Sequence, residues 1–225
     1  MKNFEIKNID CHAALAMTKN AQSGRSMIEM LGVLAIIGVL SVGGIAGYSK
    51  AMMKYRINKT IEQMTLIAGN VRAFWGPQKN YEDLQCEQNC ISDGCNGYKE
   101  SCNVAKKAKI FPDEMLTITD GKITNIENAF GGHVSIDYYG KSALNDKRAF
   151  YIEYTNIPQE ACIELLTQDW TNANILGVTL GSLRGLTPVD IARATNACYD
   201  DVTISFYGDI DPAFFVKDLP SHYQL

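Results

Sequence analysis

The 225-residue chain is long enough for one domain of ordinary size with an appendage, or for two small domains. Its composition, 46% hydrophobic and 20% charged, is that of a globular protein, and its net charge of −4 excludes a strongly basic protein that binds nucleic acid non-specifically. Seven cysteines are many for a cytosolic protein.

The 20-residue stretch from Met30 to Ser49 contains no charged side chain. As a helix it would be about 30 Å long, which matches the hydrocarbon thickness of a bilayer. A globular core helix usually has a polar face, and this stretch has none. A secretory signal also fits poorly, because its small-residue cleavage site follows the apolar run, whereas Gly24 precedes it here. We therefore expect a membrane segment that stays on the mature protein.

The sequence from Lys50 to Trp75 is amphipathic. Its apolar residues recur at steps of three and four, the spacing of a helical stripe: Met53, Ile57, Ile61, Met64, Ala68, Val71 and Trp75. Gly76-Pro77 is a stop signal. The sequence thus predicts one helix from about Arg25 to Trp75. We expect local melting at its glycines 43, 44 and 47, since each lowers helix stability by ~1 kcal/mol.

Two signals disagree about the side of the membrane on which the C-terminal part lies. The positive-inside rule, applied to the basic residues after the stretch, places it inside the cell. Six cysteines remain if the residues before Arg25 are removed, and an even set indicates disulfides in an oxidising compartment. We give the cysteines more weight and expect the C-terminal part to lie outside the cytoplasm. The basic residues would then face lipid headgroups at the outer edge: Lys50, Lys54, Arg56 and Lys59.

The segment from Gly24 to Glu29, "GRSMIE", followed by a long apolar helix, resembles the class III signal of type IV prepilins. The resemblance implies that a prepilin peptidase cuts between Gly24 and Arg25 and that Arg25 is then N-methylated. Glu29 would be the glutamate at the fifth position of mature pilins. The 24-residue leader is similar to the longer leaders of the type IVb class. Arg25 departs from the family pattern, which usually has a bulky apolar residue there.

The resemblance also implies a role for the Glu29 carboxylate. A charge that faces lipid costs several kcal/mol unless it is paired. Cleavage creates an α-amine on Arg25, and in a stack of subunits Glu29 can pair with the α-amine of a neighbour and set the register. The alternative is that Glu29 only stabilises the helix N-terminus through the helix dipole. The implied partners are further copies of the chain, other pilins, the prepilin peptidase, the inner-membrane assembly platform and the membrane.

Residues 76–110 form a cysteine-rich segment that we interpret as an irregular loop, the αβ-loop of pilins. It holds Cys86, Cys90, Cys95 and Cys102. A zinc site fits poorly, because there is no C-x2-C pair and no adjacent histidine. Two local disulfides fit better, and the three possible pairings stay open. The disulfides would staple a loop with little apolar content, or would shape a variable surface that contacts neighbouring subunits or a target.

Residues 111–225 are rich in strand signals. Two β-favouring runs flank Asp120-Gly121, a hairpin turn. Further strands are predicted in "HVSIDYY", "RAFYIEYTNI", "ILGVTLG" (as a strand or turn) and "VTISFYG", which closes the sheet as its last strand. A helix follows Pro158, and a second begins with Thr187 as N-cap and Pro188 as its first residue.

Cys162 lies early in the first of these helices and Cys198 at the end of the second. A disulfide between them would close a long loop, worth ~3–4 kcal/mol in the chain-entropy model. Such a bond is similar to the long-range disulfide that closes the C-terminal region of type IVb pilins. The alternative is two buried free thiols.

Candidates for catalysis are few. After loss of the leader, the histidines are His133 and His222, and neither lies in a nucleophile motif. Asp209 and Asp211 are too few ligands for a Ca²⁺ site, and we interpret them as part of a solvated turn. The chain has no glycine-rich phosphate loop. We therefore predict no enzyme activity, no cofactor, no metal and no nucleic-acid partner.

Together these features predict an α+β fold in which a long N-terminal helix packs on an antiparallel sheet with two short helices and disulfide-stapled loops. The divisions are residues 1–24 (leader), 25–75 (helix, with 25–49 in the membrane or filament core and 50–75 amphipathic), 76–110 (cysteine-rich loop) and 111–225 (head). The resemblance implies a structural subunit of a bacterial type IVb pilus. It would be held in the inner membrane with its head in the periplasm, then displayed in an extracellular pilus. The alternatives are a pseudopilin of type II secretion and a single-pass, membrane-anchored binding protein.

Overall fold

The computed structural model describes residues 27–78, 80–91, 94–98, 102–139 and 147–217. Gly24, Arg25, the rest of the predicted leader and His222 lie outside these residues. The internal contacts divide the chain into two units, residues 1–47 and residues 48–225, and we describe each by itself.

Helix α1 runs from Met27 to Trp75, which confirms the single long helix predicted from the sequence. It continues through the glycines at 43, 44 and 47, where local melting stays a prediction. The helix ends where Gly76–Gln78 form a 3₁₀ turn. Pro77 in that turn has no backbone N–H to extend the helical hydrogen bonds.

The buried face of α1 lies in the second unit and follows the predicted stripe. Its buried residues are Ile57, Thr60, Gln63, Met64, Ile67, Ala68, Val71 and Trp75. The apolar periodicity did not indicate the two polar members. Thr60 is accommodated because its Oγ1 donates to the Arg56 carbonyl at 2.9 Å. The Nε2 of Gln63 donates a hydrogen bond to Glu114 at 2.9 Å.

The described residues of the second unit contain ten strands and four more helices. The strands are β1 (Gln85–Cys86), β2 (Gln88–Ile91), β3 (Gly94–Tyr98), β4 (Leu116–Thr119), β5 (Lys122–Ile126), β6 (Val134–Tyr138), β7 (Phe150–Ile157), β8 (Ile175–Leu180), β9 (Leu183–Leu186) and β10 (Val202–Gly208). The helices are α2 (Cys102–Lys107), α3 (Gln159–Thr167), α4 (Ile191–Ala197) and α5 (Pro212–Lys217).

Six strands form one antiparallel sheet in the order β1-β6-β7-β10-β8-β9. Strand β7 alternates as predicted, and Ile152 lies opposite Ile136 of β6 and Phe206 of β10. These three residues are buried and belong to the same hydrophobic core as the buried face of α1. Strand β10 is last along the chain but lies inside the sheet, between β7 and β8, and therefore does not close an edge.

The hairpin predicted at Asp120-Gly121 is present as β4 and β5. Both turn residues have positive φ, 50° for Asp120 and 77° for Gly121. This is the conformation of the tight hairpin turns that favour Asp-Gly.

The cysteine-rich segment is more regular than predicted. Strands β2 and β3 pair as an antiparallel hairpin, β1 joins the edge of the main sheet, and α2 follows. The strands were missed because they are short and do not alternate in hydrophobicity.

Helix α4 begins at Ile191, so the predicted start at Thr187-Pro188 was wrong. Its N-cap is Asp190, whose side chain accepts a hydrogen bond from the Ala192 N–H at 3.0 Å. Thr187 does not cap a helix, because its Oγ1 donates to the Ile175 carbonyl at the start of β8, at 2.8 Å. Strand β9 and helix α5 were not predicted from the sequence.

Candidate assembly site

The N-terminal part of α1, residues 27–47, is apolar and exposed along its whole length. Its large side chains are exposed; Leu40, for example, is 69% exposed and Val39 75%. By length and composition the helix is able to cross a membrane, with a mean hydropathy of 2.2 over its most apolar 18 residues. Such a surface is stable only in lipid or against other apolar helices.

Glu29 is the single charged residue of this part, and it lies exposed in the first turn of α1. A carboxylate in this position is favoured by the helix dipole. Gly24 and Arg25 lie outside the described residues. The cleavage, the methylation and the pairing of Glu29 with an α-amine therefore stay predictions.

Among the described residues, two disulfides close segments of the second unit. Cys86 at the end of β1 is bonded to Cys102 at the start of α2, with their Cα atoms 4.4 Å apart. Cys162 of α3 is bonded to Cys198 just after α4, with their Cα atoms 5.8 Å apart. Both bonds are buried, since all four cysteines are at most 4% exposed.

Cys90 and Cys95 lie directly opposite each other in the backbone register of the β2–β3 hairpin. Because Cys86 and Cys102 are already bonded, we predict a third disulfide between Cys90 and Cys95. Proteolysis of the non-reduced protein followed by peptide mass spectrometry should recover this pair. Recovery of free thiols at both positions would contradict the prediction.

Basic residues of α1 bind acidic residues of the head. Lys54 forms an ion pair with Glu164 of α3. The Lys59 Nζ lies 3.1 Å from a Glu114 carboxylate oxygen. The expectation that these two lysines face lipid headgroups was therefore wrong. The physical reason is that their helix turns already pack on the head, so carboxylates lie within reach.

Glu114 also connects Gln63 to this pair. Hydrogen bonds from Gln63 and then from Lys59 lower the pKa of the Glu114 carboxyl. The hydrogen bond to Glu114 in turn raises the pKa of Lys59. Because 30% of the Lys59 side chain and 50% of the Glu114 side chain are exposed, solvent screens this pair, and it contributes little to the free energy of unfolding.

Asp209 is the centre of a larger polar cluster. Its carboxylate accepts hydrogen bonds from the Tyr81 hydroxyl and the Asn174 amide, and it lies 3.3 Å from the Arg72 Nε. Burial, and then the hydrogen bond to Asp209, raise the pKa of Tyr81 well above its usual value. The cluster joins the last turns of α1 to the loop after it, the start of β8 and the end of β10.

The interpretation as a solvated turn was therefore wrong for Asp209, whereas Asp211 is exposed. Asp209 is mostly buried, with 21% of its side chain exposed. Asp211 accepts a hydrogen bond from the Ala213 N–H at 2.9 Å, at the start of α5. No sequence signal indicated the cluster, because its members are far apart along the chain and come together only after folding.

We predict that Asp209→Asn lowers the free energy of unfolding by ~1–3 kcal/mol. Asparagine tolerates the positive φ of 53° at this position, so the change removes the charge without backbone strain. The free energy of unfolding falls because a neutral asparagine is a weaker partner than the carboxylate for Arg72, Tyr81 and Asn174 in a partly buried site. Urea unfolding followed by tryptophan fluorescence measures it. Asp113→Asn, at an exposed carboxylate without a described side-chain partner, is the matched control and should change stability by less than ~0.5 kcal/mol.

His133 lies just before β6, where its Nδ1 is 2.9 Å from the Asn125 side-chain oxygen. Within the described parts of the chain, no group of three or more histidine, cysteine, aspartate or glutamate residues is placed to hold a metal ion.

A family model described as "PilS N terminal" matches residues 54–208, which is more than half of the chain. The chain belongs to the PilS family of type IV pilins. Two relatives, each named "Major structural subunit of bundle-forming pilus", come from Escherichia coli O111:H- and from Escherichia coli O127:H6 (strain E2348/69 / EPEC). Each is 23% identical over 172 residues, which cover 76% of this chain and 78% of the relative.

A solved structure titled "Crystal structure of type IV b pilin from Salmonella typhi" is also similar, with a TM-score of 0.47 and 15% identity. The superposed part covers 66% of this chain and 97% of the solved chain. Membership of the PilS family confirms the resemblance to type IV pilins that was based on residues 22–75. The family match covers the amphipathic end of α1 and the head through β10. It therefore extends well beyond the N-terminal segment on which the resemblance was based.

Proposed function

We propose that this PilS-family chain is a structural subunit of a type IVb pilus and has no enzymatic activity. It is held in the bacterial inner membrane as a single-pass protein with its head in the periplasm, and it then polymerises into an extracellular fibre. The observation that carries the proposal is the exposed, apolar N-terminal part of α1 with Glu29 as its one charge. The names of the two bundle-forming relatives support it.

Processing precedes assembly in this proposal. A prepilin peptidase removes residues 1–24 and leaves Arg25 as the N-terminus, which is then methylated. The mature chain consists of the helix from 25 to 75, the cysteine-rich loop from 76 to 110 and the head from 111 to 225. An inner-membrane assembly platform receives this form.

Assembly moves the apolar part of α1 from lipid to other copies of the same helix. Lipid tails are as apolar as these side chains, so the transfer gains little hydrophobic energy, and close packing must stabilise the bundle. Charge then determines the alignment. A Glu29 carboxylate beside the α-amine of a neighbour is neutralised, whereas a shifted neighbour leaves both charges unpaired in a low-dielectric interior.

Electron microscopy of material sheared from the cell surface tests the proposal. Cells that produce the chain should release fibres labelled along their length by antibodies to the head, and deletion of the gene should remove them. A chain that stays in the membrane fraction and never appears in fibres would contradict the proposal, and would favour a membrane-anchored binding protein.

A further inference from the structure

The β4–β5 hairpin is open along one side. Strand β5 is covered on its far side, where the Tyr98 hydroxyl of β3 donates to the Ile126 carbonyl at 3.2 Å. Strand β4 pairs with β5 and with no other strand among the described residues. The outer side of β4 is therefore the free edge of a two-stranded sheet, and an edge of this kind can pair with a strand of another chain.

The backbone register shows which groups face this edge. The Ile126 carbonyl is bonded to Tyr98 and so points away from β4. Leu116 lies opposite Ile126, and in such a non-hydrogen-bonded pair both residues point their backbone groups away from each other. The extra residue of the register shift lies on β5, so the alternation of β4 is unbroken and Ile118 also points outward. The Leu116 N–H is already bonded to the Asp113 carbonyl. The Leu116 carbonyl and both backbone groups of Ile118 are thus directed at the free edge.

An apolar side chain stands exposed beside the same edge. Ile118 lies opposite Ile123, and both side chains are therefore on one face of the hairpin. Ile123 is 5% exposed and belongs to the hydrophobic core, whereas Ile118 is 46% exposed. The run from Met115 to Thr119 contains no charged residue and no proline, the residues that commonly protect an edge strand. A further strand beside β4 would cover Ile118 and extend the core.

The two ends of the hairpin differ in charge. Lys106 reaches the turn, where its Nζ donates to the Gly121 carbonyl. The turn end carries two basic residues and one acidic residue: Lys106, Lys122 and Asp120. The opposite end carries three acidic residues and one basic residue: Asp113, Glu114, Glu127 and the Lys59 that pairs with Glu114. An antiparallel pair of hairpins places the turn end of one copy beside the opposite end of the other, so unlike net charges meet.

We propose that β4 pairs antiparallel with β4 of a second copy, about a two-fold axis at Ile118. Each Ile118 then donates a backbone hydrogen bond to the other and accepts one from it, and the two side chains cover each other on one face. A two-fold contact closes at two copies, whereas growth of a fibre needs a heterologous contact that repeats. The pairing therefore joins the heads of two different fibres. The inference rests on the proposed function and adds a lateral contact between fibres to it.

One such contact is weak, because a four-residue strand buries much less than the ~1,200 Å² at the lower end of stable interfaces. A fibre carries the same edge on every subunit, so many weak contacts act together once two fibres align. The pairing should therefore hold fibres together and leave isolated subunits unpaired.

Cysteine crosslinking between fibres tests the pairing. In a hydrogen-bonded antiparallel pair the two Cα atoms at position 118 lie about 5.5 Å apart, which is within the range of a disulfide. Fibres with Ile118→Cys are sheared from two strains that carry different epitope tags, mixed and oxidised. We expect dimers that contain both tags and that a reductant separates. Ile191→Cys, at a position of α4 that is 67% exposed, is the control and should give no such dimer.

A charge at the edge provides the second measurement. Ile118→Lys protects the edge strand and brings two like charges together at the axis. The fraction of fibres that sediments at low speed, where only bundles pellet, should fall roughly fivefold or more, because the loss repeats along the fibre. Total fibre yield should stay within about twofold. Ile191→Lys makes the same exchange outside the hairpin and should change neither quantity.

The outcomes separate this contact from the pilus function. Normal low-speed sedimentation of Ile118→Lys fibres, or an absence of mixed-tag dimers from Ile118→Cys fibres, would overturn the pairing while the pilus function stands. Unmodified fibres that stay single would do the same. Failure of the unmodified chain to form fibres would overturn both.

Discussion

Replacing Glu29 with alanine is expected to leave a chain that is still cleaved and still held in the membrane, but that forms few or no fibres. The apolar part of α1 keeps its hydropathy, so insertion is unaffected or slightly improved. The change removes the charge that selects one alignment of neighbouring helices. Without the carboxylate, an unpaired buried charge no longer penalises a misaligned neighbour. The α-amine of the adjacent subunit also loses its partner in a low-dielectric environment. Immunoblots of membrane and sheared fractions measure both parts of the result.

The matched variants separate charge from shape. Glu29→Gln keeps the length of the side chain but cannot form the ion pair, and it should fail in the same way as alanine. Glu127→Ala changes an exposed glutamate of the head and should assemble normally. Abundant normal fibres from Glu29→Ala would show that the residue acts only through the helix dipole, and the register role would then be wrong.

Loss of the Cys162–Cys198 disulfide should destabilise the head more than any single surface substitution. The bond closes a sequence separation of 36 residues, and the chain-entropy model assigns about 3–4 kcal/mol to a loop of that length. The double variant Cys162→Ser, Cys198→Ser also places two hydroxyls in a buried site. Denaturant unfolding of the detergent-solubilised full chain measures the loss, because Trp75 and Trp170 are at most 6% exposed and report on the core.

Removal of the other disulfides shows whether the loss of stability depends on loop length, as this prediction assumes. The Cys86–Cys102 bond closes a separation of 16 residues, and its removal should cost about 3 kcal/mol. The predicted Cys90–Cys95 bond closes a much shorter loop, so it should cost least. An order in which the short hairpin bond contributes most to the free energy of unfolding would contradict the loop-entropy explanation.

The sequence predicted those parts of the fold that depend on local pattern. The apolar run from Met30 to Ser49 and the stripe from Met53 to Trp75 are long and strongly periodic, and together they predicted α1. Asp120-Gly121 predicted its hairpin, because only a few residue types adopt two successive positive φ angles. Family membership is confirmed by the match over residues 54–208, whereas the roles of Gly24, Arg25 and Glu29 stay predictions.

The errors arise where contacts distant in sequence decide the outcome. Thr187 has the residue type of an N-cap, but its hydroxyl bonds to Ile175 instead, and Asp190 caps α4. Lys54 and Lys59 were predicted to face lipid headgroups because their acidic partners, Glu164 and Glu114, are distant along the chain. Asp209 was predicted to be solvated because its hydrogen-bond donors, Tyr81 and Asn174, come close to it only in the folded chain. Each of these partners lies at least twelve residues away along the chain.

Intact mass spectrometry of the subunit recovered from sheared fibres tests the central claim most directly. The proposed function predicts a chain that begins at Arg25, retains the whole of α1, and carries one added methyl group at its N-terminus. A subunit that retains residues 1–24, or one that has lost the apolar part of α1, would contradict assembly through the processed N-terminal helix.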